Sequence, residues 1–252
     1  MNTINQLLLI LSFFLLIACG TAQQQSSSEK AKYHHRLAYG HFFENGDSNA
    51  ALQDALMSLK LDPKSAEVHM LIGLIYTGRS DLLKALKHYR TAIEIKPDYY
   101  EAKNNLGTVY LSLKMWKKAI EVFSELCKRD DYRTPAMGFN NLGWAYYKLG
   151  KIEQAQKQFM TATQLDPKLC PPHNNLGLTY LSKKQIERAK LSFETSKKLC
   201  PQYAEPYLHL GQLHQQLGDI KQAEVEWKNC QRLAATNDVG IRCKHLVQRI
   251  QP

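Results

Sequence analysis

Hydrophobic and small residues recur along this chain every 34 positions. Sliding the sequence by that interval superposes Ile72-Gly73 on Leu106-Gly107, and Leu142-Gly143 on Leu176-Gly177 and Leu210-Gly211. Three residues after each glycine stand Tyr76, Tyr110, Tyr146, Tyr180 and His214, and twelve after it Ala85, Ala119, Ala155, Ala189 and Ala223. Large residues follow four positions later: Tyr89, Phe123, Phe159, Phe193 and Trp227. A degenerate first copy places Tyr39 at the glycine position, with Phe42, Ala51 and Pro63 in register. Glycine and alanine at these intervals let two antiparallel helices approach closely, and the aromatic rings fill the space beside them. Pro97, Pro167 and Pro201 end three copies, because proline cannot continue a helix. The pattern predicts an all-α chain of six helical hairpins, over residues 32–65, 66–99, 100–135, 136–169, 170–203 and 204–235. Val239, Leu246, Val247 and Ile250, set among basic residues in 236–252, predict a helix that caps the sixth hairpin.

This period and these positions resemble the tetratricopeptide repeat, whose hairpins stack into a right-handed superhelical solenoid because one hairpin alone cannot bury its apolar face. In that family the first helix of each hairpin faces a concave surface. Here those positions carry Phe43, Met70, Leu74, Asn105, Thr108, Leu111, Asn141, Trp144, Tyr147, Asn175, Leu178 and Leu181. A strip this apolar fits an amphipathic segment of a protein partner; the other reading is that superhelical curvature buries several of these side chains against neighbouring repeats. Asn105, Asn141 and Asn175 belong to three copies of Asn-Asn-Leu-Gly, and their amides either bind a partner's backbone or satisfy neighbouring helix ends.

Before the repeats, Leu7–Ala18 is apolar except for Ser12, which is short for a bilayer span and suits the apolar part of an export signal. It ends in Leu16-Ile17-Ala18-Cys19-Gly20, which resembles a bacterial lipobox. That resemblance implies a signal peptide over 1–18, a diacylated Cys19 at the mature N-terminus, and attachment by acyl chains, palmitate among them. Gly20, in place of the aspartate that retains such lipoproteins at the inner membrane, implies an outer-membrane protein facing the periplasm. Residues 1–6 lack Lys and Arg, a departure from the usual signal, so an ordinary cleaved signal and an uncleaved anchor are the alternatives. The polar stretch from Thr21 to Ser28, within the lipidated linker 19–31, reads as a leash.

The formal net charge of +10 is spread through every segment without a long like-charge run, which argues against nucleic-acid binding. No metal, cofactor, small-molecule substrate or catalytic site is expected. His34 and His35 diverge on a helix, His209 and His214 are five apart, and no Cys-x-x-Cys or His-Glu-x-x-His occurs. Five cysteines remain after Cys19. Antiparallel geometry brings Cys170 near Cys200, Cys230 and Cys243 are placed to pin the cap, and Cys127 reads as a small buried hydrophobe.

Register breaks once, at Arg129–Pro135, where two extra residues lengthen a tyrosine-bearing turn between repeats three and four. With six repeats and a lipobox, this turn makes the chain resemble the type IV pilus pilotin lipoproteins, including those of socially gliding bacteria. The resemblance implies a non-enzymatic lipoprotein that binds secretin subunits and promotes their outer-membrane localisation and assembly. The alternative is a repeat lipoprotein that scaffolds peptidoglycan hydrolases or another periplasmic client.

Overall fold

The computed structural model describes residues 27–250, so Leu7–Ala18, Cys19 and most of the leash lie outside the described residues. Thirteen helices and no strand are present among the described residues. They fall into two compact units, divided between Leu113 and Lys114. The first unit contains α1 (27–43), α2 (Ser48–Leu61), α3 (Ala66–Gly78), α4 (Leu82–Ile95) and α5 (Tyr100–Ser112). The second contains α6 (Trp116–Leu126), α7 (Pro135–Lys148), α8 (Ile152–Leu165), α9 (Cys170–Ser182) and α10 (Ile186–Leu199), then α11 (Glu205–Gln216), α12 (Ile220–Leu233) and α13 (Asp238–Ile250).

Helix starts are chemically marked. Asp47, Ser65, Asp81 and Asp219 accept hydrogen bonds from backbone amides of the first turn, which no intrahelical carbonyl can reach. Pro135, Pro171 and Pro206 stand at the starts of α7, α9 and α11, where a missing N–H costs nothing. Inside each hairpin the turn passes through one left-handed residue: Gly46, Ser80, Lys114, Gly150, Lys184 and Gly218. Three of the six are therefore non-glycine residues held at φ of 57–60°.

Within hairpins the glycine–aromatic contact sets the spacing. A Cβ at Gly73 would sit 2.5 Å from the Tyr89 ring, and one at Gly143 2.7 Å from Phe159; Gly177 meets Phe193 and Gly211 meets Trp227 in the same way. The rings are fully buried, and the Trp227 indole N–H donates to the Leu208 carbonyl at 3.2 Å. The first hairpin departs from the expected register. Ala38, not Tyr39, occupies the close approach: Ala38 is fully buried with Ala51 and Ala55, whereas Tyr39 is 53% exposed. The cause is one extra residue at the end of α1, where the Asn45 amide reaches back five residues to the Gly40 carbonyl. The contact of Ser58 Oγ with the Ala31 carbonyl shows the same shift, since its counterpart joins Ser196 to the Cys170 carbonyl.

In the second unit the long turn after α6 is folded inward. Tyr132 is buried against Gly138, the residue whose hydrogen leaves room for its ring, and Cys127 Sγ lies beside the same glycine. Helix α13 packs on α12 and α11. Val239, Leu246, Val247 and Ile250 close over Leu208, Trp227 and Cys230, so the apolar end of the last hairpin is covered. Among the described residues no helix is long and apolar enough to cross a membrane.

Candidate protein-binding groove

The first helices of successive hairpins touch one another: α3 meets α5 in the first unit, and α7 meets α9 in the second. In the first unit Phe43 is 52% exposed and packs against Tyr39, with ring centroids 4.4 Å apart. Met70, Leu74 and Leu111 are half-buried. Asn105 Nδ2 donates weakly to Met70 Sδ at 3.5 Å, and the exposed Thr108 hydroxyl is turned back onto the Asn104 carbonyl.

The second unit holds a pocket of about 350 Å³. Asn140, Asn141 and Trp144 of α7, Asn174, Asn175 and Leu178 of α9, and Leu208 and His209 of α11 line it, with Val239 and Arg242 of α13 at one end. Its wall is a continuous chain of amides. Asn140 Nδ2 donates to Asn141 Oδ1 at 3.4 Å, Asn175 Nδ2 to Asn140 Oδ1 at 2.9 Å, and Asn174 Nδ2 to Asn175 Oδ1 at 3.4 Å. His209 completes the chain 2.8 Å from Asn174 Oδ1. An amide oxygen only accepts, so Nδ1 of His209 carries the proton. Burial, and secondarily the Arg242 charge, push the pKa of this imidazole down to about 4.

Asn175 is therefore buried and spent on helix-to-helix bonding instead of pointing freely outward. Trp144 and Tyr147 stack with centroids 5.5 Å apart and pack on the Phe159 core, while Leu178 and Leu181 pack on Phe193. These four side chains are half-buried against the core, and Trp144 and Leu178 also line the pocket.

Two histidine clusters lie in the first unit. His69 and His88 meet Nδ1 to Nδ1 at 3.0 Å, so one donates and the other accepts; burial, reinforced by the neighbouring imidazole, pushes His88 down to about 4. His34 and His41 both approach the Asp54 carboxylate, at 2.7 and 3.5 Å. No group of three or more metal-ligating side chains converges among the described residues. Cys170 is bonded to Cys200, and Cys230 to Cys243. Cys127 is free and half-buried, and desolvation pushes its thiol up to about 12, which keeps it protonated and unreactive at neutral pH.

Two family models match the chain. One described as TPR repeat matches residues 73–114 and 143–184, and one described as Tetratricopeptide repeat matches 172–203 and 204–237; together they cover slightly more than half of it. The chain belongs to the tetratricopeptide-repeat family. Among curated proteins it is 28% identical over 125 residues to the type IV pilus assembly protein PilF of Pseudomonas aeruginosa, a stretch that covers half of each chain. The solved structure of Pseudomonas aeruginosa PilF superposes with a TM-score of 0.70 at 18% identity, over 88% of this chain and 99% of that one. PilW, described as a widely conserved type IV pilus biogenesis factor, superposes with a TM-score of 0.72 at 21% identity, over 84% of this chain and 97% of that one. This chain thus shares the tetratricopeptide fold with two type IV pilus biogenesis proteins.

Proposed function

We propose that this protein is an outer-membrane lipoprotein of type IV pilus biogenesis that binds secretin subunits and promotes their localisation and assembly. The match to the pilus assembly protein PilF carries the proposal. The groove supplies a means. A half-exposed strip of Trp144, Tyr147, Leu178 and Leu181 offers apolar area to an incoming segment, and the amide chain beneath it holds α7, α9 and α11 in register before binding. In this reading acyl chains on Cys19 hold the protein on the periplasmic side of the outer membrane. Two or more chains are needed, because one gives only reversible attachment.

Binding is tested with the full chain and purified secretin subunits in detergent. Trp144→Ala removes a hot-spot type of side chain and is expected to weaken the complex by about 2 kcal/mol, with helicity and melting checked in parallel. Binding unchanged in a folded Trp144→Ala protein contradicts the groove as the docking site. The anchor is tested by Cys19→Ser, which is expected to abolish palmitate labelling and shift the protein out of the outer-membrane fraction.

A further inference from the structure

The C-terminal helices form a second recessed surface that the concave groove does not use. At the end of α12 the residues Lys228, Gln231 and Arg232 share a face, which the turn residue Ala235 continues, and on α13 Ile241, Lys244 and His245 share another. The two stripes border a groove of about 550 Å³. Between Lys228 and Ile250 the sequence holds five Lys or Arg residues against a single carboxylate, Asp238. No Asp or Glu lines the groove. Lys228 shares its charge with Glu224 at 2.7 Å, an exposed pair, whereas Arg232 and Lys244 form no ion pair among the described residues. Ile241 stays 45% exposed in the midst of these cations.

The groove is built, not incidental. The Cys230–Cys243 disulfide ties the two helices together, and Gly240 lets the start of α13 press directly against the Ala234 carbonyl, where a Cβ would collide. Both stripes are thus held at fixed separation whether or not anything is bound.

We propose that this groove binds an acidic peptide segment of a partner protein, one in which Asp or Glu residues flank an aliphatic side chain that packs on Ile241 and Ala235. Unpaired cations on both rims meet the carboxylates, and the exposed Ile241 and Ala235 offer apolar area to the aliphatic side chain. The recess between the two helices suits an extended polypeptide, whose side chains can lie along both rims. It favours a polypeptide over nucleic acid because no Phe, Tyr or Trp lines the groove to stack on bases.

The test is fluorescence anisotropy with the full chain in detergent and a labelled dodecapeptide of alternating Glu and Leu. Expected are saturable binding that weakens with added salt, and loss of about tenfold or more in affinity for the same peptide with Gln in place of Glu. A similar loss is expected for the double variant Arg232→Glu, Lys244→Glu. These positions are exposed, so its melting curve should match the parent; Arg232→Gln alone, a milder change, should give an intermediate loss. Trp144→Ala should leave this affinity unchanged, which separates failure here from failure of the concave groove. Equal binding of the Gln peptide, unaltered binding by the folded double variant, or tighter binding of a single-stranded oligonucleotide or of soluble short-chain phosphatidylglycerol would each overturn the proposal.

Discussion

At the scale of single residues, the hairpins depend on glycines that leave space for a ring. Gly177→Ala drives a methyl group into the buried Phe193 ring, so it should cost about 1–3 kcal/mol in urea unfolding, whereas Gly78→Ala, with open space around it, should be neutral or slightly stabilising. Lys184 is held at φ 57° where Gly150 and Gly218 fill the equivalent turns; Lys184→Gly should therefore raise stability by about 0.5–1 kcal/mol in the same assay. The glycine–aromatic pairs were legible in the sequence because both partners recur at fixed spacing. The first hairpin was not, since an inserted residue at the end of α1 moves Ala38 into the glycine's place and leaves the conspicuous Tyr39 outside. The amide chain was only half legible. Three Asn-Asn pairs stand out in the sequence, but that Asn175 reaches Asn140 and Asn174 reaches His209 depends on how first helices align, which a one-dimensional pattern does not encode.

Among elements, α13 and two partly buried histidines make the clearest demands. The disulfide closes a loop between Cys230 and Cys243, and removing it with the double variant Cys230→Ser, Cys243→Ser should cost about 3 kcal/mol. The loss should appear in hydrogen exchange as faster opening of α13 than of α7–α10. Acid should loosen both units through their imidazoles. His88 and His209 have pKa values pushed down to about 4 from an ordinary 6.5, so the unfolded chain takes up protons first as pH falls. Their contribution to stability is complete above pH 6.5 and is lost progressively between 6.5 and about 4. Melting followed from pH 7 to 4.5 should show a falling midpoint, and His88→Gln should make that fall shallower. An equal fall in the variant would mean that carboxylates, not this imidazole, carry the acid sensitivity. The cap's apolar positions were readable from their spacing. The basic groove was not: its cations are separated by up to sixteen residues, Lys228 to Lys244, and only the disulfide-locked pairing of α12 with α13 brings them to one surface.

For the molecule as a whole, the net charge of +10 now has a partial location, the α12–α13 surface, and the apolar strip of first helices has a second, separate character. A repeat protein with two recessed surfaces of different chemistry suits a role that brings proteins together. The proposed lipid at Cys19 would keep both surfaces beside the membrane in which a secretin is assembled. The most direct measurement is made in the source organism: delete the gene and follow heat-resistant secretin multimers by gel analysis of the outer-membrane fraction. A pilus biogenesis factor that promotes secretin assembly predicts multimers that are strongly depleted, monomer that accumulates, and recovery of multimers when the intact gene is restored. Multimers persisting at their normal level in the deletion strain would contradict that function.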